Sequence, residues 1–345
     1  MNGMVITDSK AKSLISNGFR AMDPHVHSFF SYDVPNVLDN DPISVTNLQR
    51  SKGLIPVLTD HDTMDGYYYL KRKRLSDDVV PGVEIRITPK TAKLIDPKHA
   101  GKIHTLHINV YELNKRQFFN LEKIAKTGNL DEFTQFLKDN NLKWVYNHPF
   151  WHEHGERLNW KVIPELAKNY FDILEVNCNR SSILNNITLN IAKQLNKGVT
   201  ACTDTHTGNS GSAYVVANGE NFDEFWNNIK NRKSFIVRKD MTPMFVTAEI
   251  SRMITQVFSA DSRAMKAKHF RMTSGISFLD GIAENFSYGD WKDKVFFKSI
   301  SKNALHSVNY SLGPIMSWLF YIKKQNSFGN NINSNILRIT RSIKC

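Results

Sequence analysis

The chain has little cysteine and no long apolar run. Its 345 residues include three cysteines, Cys178, Cys202 and Cys345, whose uneven spacing excludes a regular disulfide framework and favours a reducing, cytoplasmic setting. The N-terminus has no apolar run of the signal-peptide type. The most apolar late stretch, 311–322, contains Pro314 and is shorter than the roughly 20 residues that span a bilayer. We therefore expect no membrane span.

Acidic residues are also few, since 45 Lys and Arg stand against 33 Asp and Glu, a formal net charge of +12. With 41% hydrophobic and 23% charged residues, the composition is that of a globular protein and excludes a disordered or fibrous chain. Residues 241–345 hold 14 Lys and Arg against 6 Asp and Glu, whereas residues 1–240 hold 31 against 27. This break predicts two units, 1–240 and a basic unit 241–345.

Short β-rich runs fill the first unit, separated by about 20 to 40 residues of polar or helical pattern, which is the spacing of βα units. The seven predicted strands lie in 19–27, 54–62, 79–87, 102–111, 143–149, 172–178 and 198–206. Helices are predicted around 120–140, 164–169 and 183–196. Beyond Thr242 apolar residues recur at helical spacing, for example in 276–286, and the Asn-, Ser- and Gly-rich stretch 326–335 predicts a loop. We expect an α/β fold with a mainly helical, basic C-terminal extension.

Imidazole and carboxylate side chains gather at the ends of the predicted strands. His25 and His27 lie two residues apart, so both point to the same side of a strand, which is a metal-chelating arrangement. Four further strands end in Thr59-Asp60-His61-Asp62, Gly82-Val83-Glu84, Asn147-His148-Pro149 and Asp204-Thr205-His206. Because the carboxyl ends of strands in a βα barrel meet at one mouth, these motifs predict a single metal site.

This series of motifs, together with Asp23-Pro24 before His25 and with His104, resembles the polymerase and histidinol phosphatase (PHP) family of metal-dependent phosphoesterases. The resemblance covers residues 19–240. It implies a distorted (βα)7 TIM-like barrel that holds two or three divalent cations, Zn, Mn or Fe. It also implies an enzyme that hydrolyses phosphate esters through a metal-activated water.

The resemblance implies a role for each ligand. One cation is held by His25, His27, Glu84 and Asp204; a second by Glu84, His104 and His148; and a third by Asp33, His61 and His206. The catalytic set is His25, His27, Glu84, Asp204 and His206. Arg180, at the sixth strand end, is implied to bind the substrate phosphate, a task that suits its guanidinium fork.

The fourth predicted strand region contains two histidines that could be the metal ligand. His104 fits the family pattern of a histidine followed two residues later by a leucine, here Leu106. Strand alternation instead lets His107 face inward with Thr105 and Asn109. We favour His104.

Other residues keep two interpretations. Asp23, Asp60 and Asp62 either orient the ligating imidazoles or make ordinary hydrogen bonds at strand ends. The run Lys71-Arg72-Lys73-Arg74 either contacts a nucleic-acid backbone or is a solvated helix face. Phe150-Trp151-His152 either stacks on a base or covers the barrel mouth.

The basic unit bears on the substrate. Arg263, Lys266, Lys268 and Arg271 are expected to form a basic face, which favours binding to a phosphate backbone. We therefore expect a nuclease or phosphodiesterase acting on DNA or RNA. The alternatives are a phosphomonoesterase on a small metabolite and a non-catalytic, metal-stabilised module that binds nucleic acid or protein. Amidohydrolase barrels also begin with a His-x-His pair, but they bridge their cations from a later strand than the one carrying Glu84.

Overall fold

The computed structural model describes residues 4–260, 262–271 and 295–344. The strands are β1 Met4–Val5, β2 Arg20–Met22, β3 Val57–Leu58, β4 Val80–Ile87, β5 Leu106–Tyr111, β6 Lys143–Tyr146, β7 Ile173–Asn177, β8 Gly198–Cys202, β9 Tyr214–Ala217 and β10 Ser234–Val237. The helices are α1 Asp8–Ser16, α2 Pro42–Ser51, α3 Asp65–Arg72, α4 Pro97–Ala100, α5 Lys115–Thr127, α6 Leu130–Asp139, α7 Ile163–Tyr170, α8 Ser182–Gln194, α9 Phe222–Lys230, α10 Pro243–Ser259, α11 Ser262–Ala267, α12 Val295–Ser317 and α13 Lys323–Lys344. The helical pattern expected in 276–286 lies outside the described residues.

Local sequence signals place several helix starts. Asn114 and Gln117 form a reciprocal capping box at the start of α5, and the Ser181 side chain accepts from a backbone N–H at the start of α8. Thr242 does the same for α10, whose first residue is Pro243. These side chains satisfy backbone donors that the first helical turn leaves unpaired.

The strands form a mixed α/β fold with a curled half-barrel sheet. Six strands pair in the order β3-β4-β5-β6-β7-β8, and four in the order β1-β10-β9-β2. The sheets meet beyond β2, where His27 N donates to Thr205 O at 3.3 Å and Thr59 N donates to Val26 O at 2.8 Å. Backbone bonds after β2 thus reach both edges of the six-stranded sheet. The seven predicted strand regions each contain one of these strands.

The fourth predicted strand runs in an unexpected direction. β5 is antiparallel to both β4 and β6, whereas the β3–β4, β6–β7 and β7–β8 pairs are parallel. The connection from β4 to β5 holds only the four-residue helix α4, whereas parallel neighbours are usually joined by a crossover through a longer helix. The amino end of β5 therefore lies at the edge where the other strands have their carboxyl ends.

In the C-terminal region, α13 packs on α8 and α7, and α12 packs on α10. The predicted loop 326–335 is wrong, because these residues belong to α13. Ile332, Ile336, Ile339 and Ile343 recur at helical spacing and are buried. Gly329 lets α13 approach α8 closely, since a Cβ there would lie 2.6 Å from Ile183 Cγ2. Within the described ranges, no helix is both long and apolar enough to cross a membrane.

Candidate metal centre

Two histidines after β2 begin the site. The rings of His25 and His27 are fully buried, and their Nε2 atoms lie 3.0 Å apart. His25 Nδ1 lies 2.9 Å from Glu175 Oε2, so the proton of this ring belongs on Nδ1 and the Nε2 lone pair faces inward. The pair thus presents nitrogen ligands to a common point.

Glu84 lies at the centre of the cluster. Its Oε2 atom is 3.1 Å from His25 Nε2, 3.4 Å from His27 Nε2 and 2.8 Å from His61 Nδ1. Its Oε1 atom is 2.9 Å from His107 Nδ1 and 3.4 Å from His148 Nε2. Each carboxylate oxygen therefore faces a different group of imidazoles, which is the arrangement of a bridging ligand.

The structure brings His107, and not His104, to Glu84. Because β5 is antiparallel, its amino end lies beside the carboxyl ends of its neighbours, and His107 pairs opposite Arg86 in the β4–β5 ladder. His104 precedes the strand, is buried, and its Nδ1 has no hydrogen-bond partner among the described residues. Our preference for His104 followed a motif spacing that takes no account of strand direction. The geometry favours the alternative, His107.

Asp204 completes the group around His25 and His27. Its Oδ1 atom lies 3.4 Å from His25 Nε2 and 3.3 Å from His27 Nε2. Its Oδ2 atom accepts a hydrogen bond from Asn177 Nδ2 at 3.0 Å. The carboxylate is thereby turned toward the two imidazoles.

Asp33 forms a second centre with two further histidines. Its Oδ2 atom lies 3.1 Å from His206 Nε2 and 3.3 Å from His61 Nε2. The ring of His27 lies between the two centres, 4.4 Å from that of His61 and 4.5 Å from that of His206. The cluster thus extends in one piece from His148 to Asp33.

Three ligand-bearing turns have unusual backbone geometry. Asp62, His148 and Asp204 have φ values of 50°, 25° and 50°, a region that residues other than glycine seldom adopt. Such strain persists where the surrounding structure holds it, often at functional sites. These turns aim the side chains of strand-end residues into the cluster.

The donor set fits divalent cations. Glu84 Oε2 and His61 Nδ1 are buried 2.8 Å apart, yet neither has a hydrogen-bond partner among the described residues. Ligand atoms of His25, His27 and Asp204 all lie within 4.8 Å of one another, as do those of His25, Glu84 and His148. Buried imidazole nitrogens and carboxylate oxygens at this spacing need protons or cations between them, because a buried polar atom without a partner is costly. Mixed imidazole and carboxylate sites suit Zn²⁺, Mn²⁺ or Fe²⁺.

Charge in the cluster is mutually stabilised. Burial disfavours the imidazolium of His25, but the Glu84 and Asp204 carboxylates raise the pKa of His25 well above its usual value. Burial likewise disfavours the carboxylate of Glu84, but His25 and His61 hold the pKa of Glu84 well below its usual value. Burial, with His61 and His206 nearby, lowers the pKa of His27 to about 3. Cation binding must therefore displace protons from some of these imidazoles.

Glu175 is the orienting residue that the sequence analysis missed. Its Oε2 atom holds His25 Nδ1 at 2.9 Å, and its Oε1 atom accepts from His148 N at 3.1 Å and Asn177 Nδ2 at 3.0 Å. One buried carboxylate thus positions two ligands. Glu175 and Asn177 alternate on β7 and face the same side of the strand, and this pattern could have predicted their place in the site.

The three aspartates with open interpretations make strand-end hydrogen bonds. Asp60 accepts from Ser28 N at 2.6 Å and Ser31 Oγ at 3.1 Å, and Asp23 accepts from Thr203 N at 2.9 Å. Asp62 accepts from Arg86 Nε at 2.6 Å. They fix the backbone that carries the ligands, and no direct bond to a ligating imidazole is among their contacts in the described residues.

Arg180 lies beside the cluster. Its Nη1 atom donates to Asn179 O at 2.9 Å, and its buried Nε has no hydrogen-bond partner among the described residues. Burial lowers the pKa of Arg180, with Asp204 and Glu175 opposing that shift. An arginine so placed retains donor capacity for an anion.

The remaining candidate groups lie at different distances from the cluster. Trp151 packs edge-on against His107, with ring centres 4.5 Å apart, while Phe150 is buried and His152 is exposed. Lys71 and Arg72 line an open groove together with Asp65, Tyr68 and Lys115. None of these groove residues belongs to the cluster. Trp151 therefore covers part of the centre, and the basic run lies apart from it.

No family model matches the chain, and no curated protein matches it. Among solved structures, PsfC from Pseudomonas syringae is similar with a TM-score of 0.48 and 16% identity, over 68% of this chain and 98% of that one. A candidate metal-dependent phosphoesterase from Bifidobacterium adolescentis has a TM-score of 0.38 and 15% identity, over 61% and 96%.

The lesion-specific endonuclease EndoQ from Pyrococcus furiosus has a TM-score of 0.43 and 15% identity, over 63% of this chain and 57% of that one. Likeness at this level does not assign an activity, because one fold supports many reactions. The solved structures that resemble the chain include a candidate metal-dependent phosphoesterase and an endonuclease.

Proposed function

We propose that the chain is a metal-dependent phosphoesterase, and that its substrates are DNA or RNA. The observation that carries the proposal is Glu84, whose two oxygens face separate sets of imidazoles within one buried cluster. Such a cluster can hold neighbouring cations. A cluster of cations with few carboxylates keeps a net positive charge, which favours a phosphate substrate.

The proposed ligand sets follow the geometry. The first cation takes His25, His27, Glu84 and Asp204; the second takes Glu84, His107 and His148; and the third takes Asp33, His61 and His206. This assignment replaces His104 with His107. We propose that the strands holding these residues form a distorted (βα)7 barrel within 1–240, and that 241–345 is a basic, mainly helical extension.

Bound divalent cations would supply Lewis-acid chemistry, by lowering the pKa of a water molecule and stabilising charge on the phosphate. The chain's own residues prepare the site for it. Glu175 keeps a proton on His25 Nδ1 and so leaves Nε2 as a ligand atom. Arg180 is proposed to bind a phosphate oxygen through its guanidinium. No side chain is required as a nucleophile.

A polymeric substrate is supported by charge. Arg263, Lys266 and Arg271 are exposed, and the region after residue 240 carries more than twice as many basic as acidic residues. Exposed cations bind phosphate backbones without sequence preference. Lys268 is excluded from this face, because it is turned inward.

The test is a hydrolysis screen of the full-length chain reconstituted separately with Zn²⁺, Mn²⁺ and Fe²⁺. Its substrates are end-labelled single- and double-stranded oligonucleotides, an aryl phosphate diester and an aryl phosphate monoester. We expect cleavage of oligonucleotides that His25→Ala abolishes and that His154→Ala, a change at an exposed histidine, leaves intact.

Hydrolysis of the monoester alone would replace the nuclease with a phosphomonoesterase. Cation binding with no hydrolysis of any ester would overturn the enzymatic proposal and favour the non-catalytic module.

A further inference from the structure

Two ligands of the proposed third cation lie on loops. Asp33 belongs to the segment between β2 and α2, and His206 follows β8. Neither residue lies in a strand, although Thr205, before His206, forms a bridge with Val26, and fixing a loop costs conformational entropy. The position of these side chains must therefore depend on other contacts.

Lys268 holds the loop of Asp33 from the C-terminal region. Its Nζ atom donates to Phe29 O at 3.0 Å, to Ser31 O at 3.1 Å and to Val34 O. An ammonium group has three donors, so all three are used on carbonyls that flank Asp33. Burial lowers the pKa of Lys268 to about 8, with Asp33 opposing the shift. The group therefore keeps its proton at neutral pH.

The segment carrying Lys268 is itself anchored beside this loop. Met265 and Phe270 are fully buried in a cluster with Val257, against which Val37 of the loop packs. Arg271 N donates to Tyr32 O at 3.2 Å, next to Asp33. These contacts hold the backbone on either side of Lys268 in place, so its side chain reaches the loop from a fixed position.

Gln256 on α10 joins the two loops. Its Oε1 atom accepts from Asn40 Nδ2 at 3.1 Å, and its Nε2 atom donates to Thr207 O at 3.0 Å. Glu249, also on α10, accepts from Thr207 Oγ1 at 2.7 Å. One helix therefore contacts the loop of Asp33 and the residue that follows His206.

We propose that residues 243–260 and 262–271 form a clamp that positions Asp33 and His206 for the third cation, with Lys268 as its main positioning residue. The inference rests on the proposed ligand sets. Its consequence is that the basic C-terminal region is part of the metal centre as well as a surface for polyanions. A displacement of about 1 Å in a ligand is enough to cost a large factor in function.

The test compares Lys268→Met with Lys266→Met in the full chain. Lys266 is an exposed lysine two residues away and is the matched control. Mn²⁺ binding is measured by equilibrium titration with electron paramagnetic resonance, and bound cations are counted by mass spectrometry. We expect Lys268→Met to weaken one cation site by about 10- to 100-fold, the range seen when a group that orients a ligand is lost. The other sites and the control should match the parent chain.

Two further variants test the clamp independently of Lys268→Met. Lys268→Arg retains a cationic donor and should recover part of the lost affinity. Gln256→Ala removes the hydrogen bonds that join the two loops and should weaken the same cation site. This variant provides the test if Lys268→Met does not fold. Unchanged binding in folded Lys268→Met, or equal weakening of every site, would overturn the clamp.

Substrate plays no part in these measurements, so the two proposals fail separately. A parent chain that binds three cations, loses one through Lys268→Met and hydrolyses no ester refutes the proposed activity and supports the clamp. A parent chain that hydrolyses esters, and whose third cation binds equally well after Lys268→Met, retains the activity and refutes the clamp.

Discussion

The two ends of the ligand cluster are built in different ways. At one end, Glu84 and His107 lie on β4 and β5, which pair in an antiparallel ladder. At the other end, Asp33 and His206 lie on loops. The loop of Asp33 is hydrogen-bonded to α10 through Asn40 and Gln256, which are 216 residues apart along the chain. The strand end is therefore positioned by the sheet itself. The loop end depends in addition on a distant segment, so its cation should be the easier one to lose.

The largest effect should come from Glu84→Gln, because this change touches both ends. Glutamine keeps the shape but removes the charge that faces His25, His61 and His107. Losing about 4 kcal/mol of transition-state stabilisation corresponds to about a 10³-fold loss of rate. Ester hydrolysis and cation content measure it, with Glu122→Gln, which breaks the surface pair with Lys126, as control. Activity within tenfold of the parent would contradict the role of Glu84 as the ligand shared by two cations.

As the pH falls, the loop end should lose its cation before the strand end does. Burial opposes charge on His61 and His206, but Asp33 raises the pKa of both. At the strand end, Glu84 raises the pKa of His107, whereas burial lowers that of His148. Below the raised pKa values, binding displaces protons from two imidazoles at the loop end and from one at the strand end.

Cation affinity should thus fall by about 100-fold per pH unit at the loop end and by about tenfold at the strand end. Above the raised pKa values both sites should become independent of pH, because no proton is left to displace. Mn²⁺ titrations stepped downward from pH 8 measure the two slopes. Equal slopes would contradict the distinction between the ends.

Glu175→Gln should weaken the strand end by a smaller factor. The change removes the charge that holds His25 Nδ1 and retains an oxygen that can accept from His148 N. Loss of such an orienting carboxylate costs about 10- to 100-fold in cation affinity or activity. Glu165→Gln is the matched control, because Glu165 is a buried carboxylate that accepts from Ile95 N away from the cluster. An equal loss in the control would point to general destabilisation.

The contrast between the ends also explains what the sequence could predict. Period-two alternation predicted that His25 and His27 face the same side, and the ends of the predicted strands grouped Glu84, His148 and Asp204, because the carboxyl ends of parallel strands meet at one edge. Asp33 was predicted only by resemblance, since a loop has no period.

The other differences between the sequence predictions and the structure have physical causes of the same kind. The direction of β5, which brings His107 rather than His104 to Glu84, depends on a connection whose path no periodicity records. Lys268 was assigned to a basic face because local sequence does not reveal that three distant carbonyls surround it. The stretch 326–335 was predicted as a loop from its composition, whereas Gly329 serves close packing on α8.

The smallest effect should come from Ser31→Ala, which tests the orientation of His27 between the two ends. The Ser31 hydroxyl donates to Asp60 Oδ1 at 3.1 Å, so its lone pairs accept from His27 Nδ1 at 3.1 Å and His61 N at 3.0 Å. The serine thereby keeps the His27 proton on Nδ1 and leaves Nε2 as a ligand. A neutral hydrogen bond contributes about 1 kcal/mol, or about fivefold.

We therefore expect about a fivefold loss of cation affinity in Ser31→Ala, below that of Glu175→Gln, since a hydroxyl orients His27 where a carboxylate orients His25. Mn²⁺ titration of both variants measures the ratio, and Ser51→Ala, at an exposed serine of α2, controls for removal of a hydroxyl. A loss in Ser31→Ala that equals or exceeds the loss in Glu175→Gln would show that the neutral hydrogen bond orients His27 as strongly as the buried carboxylate orients His25.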